Sequence, residues 1–162
     1  MMKTLKSWLL EYGEGHRHPV NKMLHWICVP SIVFSLLCAL KAIPLGDALV
    51  NAATLLLLGW ILYYASLCWQ LALGMVIVFC AMYAGVLLLE TALGPQLPWL
   101  AATVFVLAWV GRFVGHEFEG ARPSFLKDLQ FLLIGPIWLL ADFYRRVQIP
   151  MGAGAGAMPL PH

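Results

Sequence analysis

Apolar residues occur in four long runs, and short joints rich in turn-forming residues separate them. The runs extend from about Leu24 to Ile43, Ala48 to Leu67, Leu71 to Leu89 and Leu97 to Val114. Each has about the 20 residues that a membrane-spanning helix needs. Because joints this short force neighbouring helices to run antiparallel, the pattern predicts an all-α membrane bundle with four spanning helices.

Shorter segments flank these four runs. A fifth apolar run, Leu129 to Ala141, has 13 residues and is interrupted by Gly135-Pro136. It is too short to span comfortably, so we expect an interfacial or re-entrant C-terminal helix. The N-terminal segment resembles a short amphipathic helix at the membrane surface, with Trp8 and Tyr12 at headgroup level. Residues 1–150 are expected to form a single domain, and the Gly/Ala-rich tail 151–162 to be disordered.

Composition supports a membrane protein. Of the 162 residues, 62% are hydrophobic and 11% are charged, whereas about a quarter of the residues in a soluble domain are charged. The net charge of +2 and the scattered basic residues give no reason to expect nucleic acid as a partner. Four cysteines lie inside apolar runs and are expected to be buried reduced thiols: Cys28, Cys38, Cys68 and Cys80.

The basic residues predict an orientation. With four crossings and the N-terminus in the cytoplasm, nine of the ten Lys and Arg residues fall on the cytoplasmic side, and Lys41 is left outside. This is the positive-inside distribution. An even number of crossings also brings the two ends of the spanning region, residues 16–25 and 115–123, to the same membrane face.

These two segments are polar islands that contain four of the five histidines. Ionisable groups are costly beside a bilayer, so their grouping suggests a function. Asn21 and His25 are four residues apart and share a helix face, and His116 and Glu119 do the same at a spacing of three. Three imidazoles, including His16 on the preceding loop, and one carboxylate form a plausible ligand set for a divalent metal such as iron.

Other interpretations of the islands stay open at this level. Histidines at helix ends are commonly solvated or hydrogen-bonded, and the nearby Arg and Lys residues could bind lipid phosphates. A bis-histidine haem site would require His25 and His116 to face each other. A membrane di-iron hydroxylase relies on about eight histidines, more than the chain provides. A non-catalytic metal- or lipid-binding integral membrane protein is the main alternative to an enzyme.

Three stretches carry a resemblance to the Mpo1-like family of small membrane proteins. The first contains His16, Pro19, Asn21, His25 and Val29-Pro30. The second contains Phe113-Val114-Gly115-His116, Glu119 and Arg122-Pro123, and the third contains Gln130, Gly135-Pro136 and Asp142. The chain resembles this family in consistent order from about residue 8 to 148.

The resemblance implies an iron(II)-dependent dioxygenase that shortens 2-hydroxy fatty acids by one carbon, with Fe(2+) as cofactor and O2 as co-substrate. Together with the charge distribution, it predicts a site on the cytoplasmic side of a bacterial inner membrane. His16, His25 and His116 are the implied catalytic metal ligands, Glu119 is a weaker fourth, and His18 is taken as a neighbour whose role stays open. Substrate binding is expected from Arg112 or Arg122, whose guanidinium groups match a carboxylate, and from Asn21.

Overall fold

The computed structural model describes residues 5–14, 18–43, 45, 50–119 and 125–149, without the side chains of residues 14, 119 and 125–131. Every regular element in this part of the chain is helical, which confirms the all-α class. The helices are α1 (Leu5–Glu14), α2 (Pro19–Lys41), α3 (Ala52–Leu67), α4 (Trp69–Leu93), α5 (Leu97–Glu119) and α6 (Phe125–Arg146). His16, Arg122 and the tail 151–162 lie outside the described residues.

Local chemistry sets the helix ends. Pro19 stands in the first turn of α2, where a missing backbone N–H costs nothing. Asn51 caps α3 through a capping box in which its side chain and that of Thr54 bond to each other's backbone N–H. Gly94, with φ of +49°, ends α4 and leads through a short 3-10 turn into α5. The joint between the second and third apolar runs is a break at Cys68 alone.

Helix α6 is longer than the apolar pattern predicts. It has 22 residues with Pro136 in its interior and therefore extends beyond the 13-residue apolar run at both ends. The helix continues because its polar end is internally paired. Asp142 accepts a hydrogen bond from Arg146 at 2.9 Å and lies 3.8 Å from Arg145, the i,i+4 and i,i+3 spacings that stabilise a helix.

Contacts between helices confirm an up-and-down arrangement of α2 to α5. Along α2 and α5, Asn21 lies against Gly115 and Cys28 lies against Gly111, so the two helices are antiparallel. At the other end, the backbone N–H of Ala52 donates to the carbonyl of Ile43, and Lys41 pairs with Glu90 at 3.4 Å. His25 and His116 therefore lie at one end of the bundle, the histidine end, and Lys41 and Glu90 at the opposite end.

Helix α6 lies across the histidine end. In its first half, the carbonyl of Leu133 accepts a 2.6 Å hydrogen bond from Tyr64 near the end of α3. At its C-terminal end, the guanidinium of Arg146 lies 5.8 Å from the ring centre of Trp26 on the first turns of α2. The part of α6 from Leu133 to Arg146 thus lies against the end of α3 and the start of α2.

Two helical stretches of the described residues are long and apolar enough to cross a membrane. The most apolar 18-residue window has a mean hydropathy of 2.0 in Pro19–Lys41 and of 2.5 in Trp69–Phe118, which comprises α4, the turn and most of α5. The most apolar windows of the two stretches are 44% and 33% buried, and large side chains such as Ile77 and Trp99 face outward. Four spans would also require the 16-residue α3 to cross, so that number stays a prediction.

The cysteines are free. Cys28 and Cys38 are buried, as expected, but Cys68 is half-buried and Cys80 is exposed among the outward-facing side chains of α4. An apolar surrounding in sequence therefore does not imply burial inside this bundle, since its outer face is apolar as well.

Candidate active site

Two glycines on α5 allow the histidine end to form. A Cβ atom at Gly111 would lie 2.8 Å from the sulfur of Cys28, and one at Gly115 would lie 2.6 Å from the side-chain oxygen of Asn21. Because these distances are too short for a real Cβ atom, α2 and α5 approach each other more closely than any residue larger than glycine at these two positions would permit. The spacing is that of the G-x-x-x-G pattern, through which membrane helices pack backbone to backbone. This signal is visible in the sequence.

The close approach brings the two polar islands together. His25 on α2 is fully buried, His116 on α5 is 7% exposed, and their ring centres are 6.0 Å apart in an edge-to-face arrangement. The prediction that the islands meet at one end of the bundle is confirmed for these two residues.

Arg112 lies at the centre of this cluster. It is 1% exposed, and its Nη1 donates a 2.9 Å hydrogen bond to Nε2 of His25. A guanidinium has no acceptor, so Nε2 must accept and the ring of His25 must be neutral, with its proton on Nδ1. A buried charge is costly unless it is compensated. The hydrogen bond to His25 and the ring of Trp109, 5.8 Å from the guanidinium carbon, supply part of that compensation.

Tyr12 joins the cluster from α1, although the sequence pattern predicts it at headgroup level. It is fully buried, and its ring lies edge-on to His25 with ring centres 5.7 Å apart. Trp138 of α6 packs against its other side at 5.3 Å. Leu5, Leu9 and Tyr12 follow the i, i+4, i+7 spacing of one helix face, and all three are buried. That spacing could have indicated packing against the bundle.

Asn21 and His18 occupy different positions relative to the cluster. Asn21 is fully buried one turn before His25, as the shared helix face predicts. His18 is the N-cap of α2: its Nδ1 accepts a 3.3 Å hydrogen bond from the backbone of Val20, and its ring stacks on Phe118 at 5.6 Å. The structure therefore gives His18 a local capping role outside the cluster.

The structure does not describe the side chains of the remaining expected site residues. His16 and Arg122 lie outside the described residues. Glu119 is the last residue of α5, one turn after His116, and its side chain is not described. Among the described side chains, no group of three or more His, Cys, Asp or Glu residues is arranged to hold a metal. The four-residue ligand set stays a prediction.

A haem between the two histidines does not fit the cluster. Gly111 and Gly115 hold the helices too close for a macrocycle to enter.

An apolar cavity of about 250 Å³ lies between α2, α4 and α6 near the cluster. Its lining side chains are all aliphatic, aromatic or thioether groups: Trp26, Val29, Pro30, Val33, Met75, Val78, Phe79, Met82, Pro136, Leu139, Leu140 and Phe143. Gly135 connects the cavity wall with the cluster. A Cβ atom there would lie 3.1 Å from both the hydroxyl oxygen of Tyr12 and a methyl group of Val29.

Comparison with known proteins identifies the family. The family model described as 2-hydroxy-palmitic acid dioxygenase Mpo1-like matches residues 2–147, nearly the whole chain. The chain belongs to the Mpo1-like family. It is also 31% identical over 147 residues to the 2-hydroxy-palmitic acid dioxygenase MPO1 of Saccharomyces cerevisiae, and the match covers 86% of this chain and 79% of the yeast protein. No solved structure matches the chain.

Family membership confirms the resemblance drawn from the sequence motifs. In this Mpo1-like protein, the motif residues Asn21, His25, Gly115 and His116 lie at one end of the bundle and in mutual contact range. The motif pair Gly135-Pro136 lies on α6, between Tyr12 and the apolar cavity. Asn21, His25, Gly115, His116 and Gly135-Pro136 therefore converge on a single region of the fold.

Proposed function

We propose that this Mpo1-like protein is an iron(II)-dependent dioxygenase of 2-hydroxy fatty acids. The reaction would convert a 2-hydroxy fatty acid and O2 into a fatty acid one carbon shorter, CO2 and water. The observation that carries the proposal is the buried cluster of His25, His116 and Arg112 at the end of an apolar bundle. The similarity to a 2-hydroxy-palmitic acid dioxygenase gives the substrate class.

The two described imidazoles are compatible with a shared iron ion. Imidazole nitrogens bind such metals at about 2.0–2.1 Å, so two rings that share an ion have centres roughly 4.5–6.5 Å apart. The observed 6.0 Å lies in this range. Imidazole suits iron, and His16 and the carboxylate of Glu119 would complete the ligand set. When bound, the iron would supply the activation of O2 and of the 2-hydroxycarboxylate.

Arg112 would bind the substrate carboxylate. A guanidinium forks onto a carboxylate through two parallel hydrogen bonds, and burial strengthens the ion pair because little water competes. Arg112 now donates to Nε2 of His25. An arriving carboxylate would draw the guanidinium away and expose the lone pair of that nitrogen. Substrate binding and the availability of His25 as a ligand would therefore be coupled.

We further propose that the protein lies in a bacterial inner membrane and that its histidine end is on the cytoplasmic side. Arg145 and Arg146 lie in the last turn of α6 at the histidine end, and Lys41 lies at the opposite end, paired with Glu90. This asymmetry supports the positive-inside orientation. It would give the site access to fatty acids that enter from the bilayer or its cytoplasmic surface.

The direct test uses the whole protein purified in detergent and loaded with iron(II). With 2-hydroxypalmitate, we expect O2 consumption and one mole of pentadecanoate per mole of substrate consumed, measured by mass spectrometry. Palmitate, which lacks the 2-hydroxyl group, is the matched control and should give no product. Iron binding without any chain-shortened product would contradict the proposed reaction, and product formation independent of iron would contradict the cofactor.

A further inference from the structure

The apolar cavity is placed and shaped to hold a chain. It extends from Trp26 to Val33 along α2 and from Met75 to Met82 along α4. Seven residues of helix correspond to about 10 Å in each case. The space is partly open at the surface of the bundle, so a molecule can enter it from outside. Because the lining is apolar throughout, a molecule that fills the space must be apolar there as well.

One layer of residues separates the cavity from the histidine cluster. Val29, on the cavity wall, follows His25 by one helical turn, and both belong to the buried face of α2. Gly135 lies against Val29 and Tyr12, while Tyr12 packs on His25. A molecule with its apolar chain in the cavity would therefore have its polar head within this one layer of the cluster.

We infer that the cavity between α2, α4 and α6 binds the alkyl chain of the fatty-acid substrate, with its carboxyl end directed toward Arg112. This inference rests on the proposed function, from which it takes the substrate. Arg146 also lies near the cavity, over Trp26, but its charge is paired with Asp142 at 2.9 Å. The buried Arg112, bonded to a neutral imidazole, is the better partner for a carboxylate.

Val78 and Ile77 offer a matched pair of substitutions on α4. Val78 lines the cavity, whereas its neighbour Ile77 is 72% exposed on the outer face. Val78→Phe would fill part of the cavity and should raise the KM for 2-hydroxypalmitate about tenfold, the equivalent of roughly two displaced methylene groups. Ile77→Phe adds the same ring outside the cavity and should leave the KM unchanged. Equal KM values for the two variants would overturn the inference.

A binding measurement that needs neither turnover nor a substituted protein provides the second test. The wild-type protein in phosphatidylcholine nanodiscs is irradiated with a 2-hydroxy fatty acid that carries a diazirine in mid-chain. We expect labelled peptides from the cavity-lining parts of α2, α4 and α6, such as Met75 to Met82 on α4, and loss of the label when excess 2-hydroxypalmitate is added. Labelling elsewhere would overturn the inference, and so would labelling that excess phosphatidylcholine removes equally well, since bulk lipid would then be the occupant.

The two proposals fail in different ways. If the label maps to the cavity and is competed by 2-hydroxypalmitate while no chain-shortened product forms, the cavity binds the chain and the proposed reaction is wrong. If product forms and the label maps outside the cavity, the proposed reaction stands and the chain-binding inference is wrong.

Discussion

Gly115→Ala should separate the two helices that carry the candidate site. The added methyl group would lie 2.6 Å from the side-chain oxygen of Asn21 and 3.5 Å from a methyl group of Leu24. Since Asn21 is fully buried, relief requires either that its side chain rotates away from its position or that α5 moves away from α2. Either response disturbs the contact between His25 and His116.

The structure sets the size and sign of the effect. Overpacking costs about 1–3 kcal/mol, while replacing a helical glycine with alanine contributes about 1 kcal/mol of stability. The net loss should be about 0–2 kcal/mol, a fall in Tm of at most roughly 8 °C for a chain of this size. Gly59→Ala is the matched control, because no atom lies within 4 Å of a Cβ atom at that position. This control should be neutral or slightly stabilised.

Thermal unfolding in detergent, followed by circular dichroism, compares the two variants with the wild type. A double variant, Asn21→Ala with Gly115→Ala, removes the atom that the new methyl group meets. The Gly115 substitution should therefore cost less in the Asn21→Ala background than in the wild type. The packing argument is refuted if Gly115→Ala is as stable as Gly59→Ala, or if the costs at residues 21 and 115 simply add.

Three further predictions follow from other contacts. Arg112→Ala should raise the KM for 2-hydroxypalmitate about 10- to 100-fold in steady-state assays, since a charge-assisted hydrogen bond contributes roughly 1.5–3 kcal/mol; an unchanged KM would exclude the carboxylate role. Asn51→Ala removes the cap of α3 and a 2.9 Å hydrogen bond to a tyrosine hydroxyl, so the free energy of unfolding of this variant should fall by about 1–2 kcal/mol. Thr103→Ala, on an exposed face, is the control and should change the free energy of unfolding little. Glu90→Gln breaks the 3.4 Å ion pair with Lys41, in which the Glu90 side chain is 44% exposed. Because exposed ion pairs contribute little, the free energy of unfolding measured by chemical denaturation should fall by at most about 1 kcal/mol. A larger fall would mean that this pair is more than a surface contact.

Helix number and direction follow from the sequence, but helix ends do not. Continuous apolar runs mark the parts of a helix that tolerate lipid or a packed core. Polar residues can extend a helix beyond such a run, as Pro19–Met23 do at the start of α2 and Asp142–Arg146 do at the end of α6. The apolar pattern therefore predicts the helical segments and places some of their ends several residues too early or too late.

The site was predictable in part. Counting the crossings places His25 and His116 at the same end, and the G-x-x-x-G spacing on α5 indicates the face on which another helix packs closely. The role of Tyr12 depends on how α1 docks on the bundle, and the hydrogen bond between Arg112 and His25 depends on the rotation of two helices. Neither can be read from spacing along the chain, because both join segments that are far apart in sequence.

The central claim is that His25 and His116 form one functional centre and that His18 does not belong to it. The most direct measurement is the rate of pentadecanoate formation from 2-hydroxypalmitate by the iron-loaded wild type and by His25→Ala, His116→Ala and His18→Ala, each first shown to be folded by circular dichroism. We expect product from the wild type and from His18→Ala, and none above background from the other two. Retained turnover in His25→Ala or His116→Ala, or equal loss in all three variants, would contradict the account.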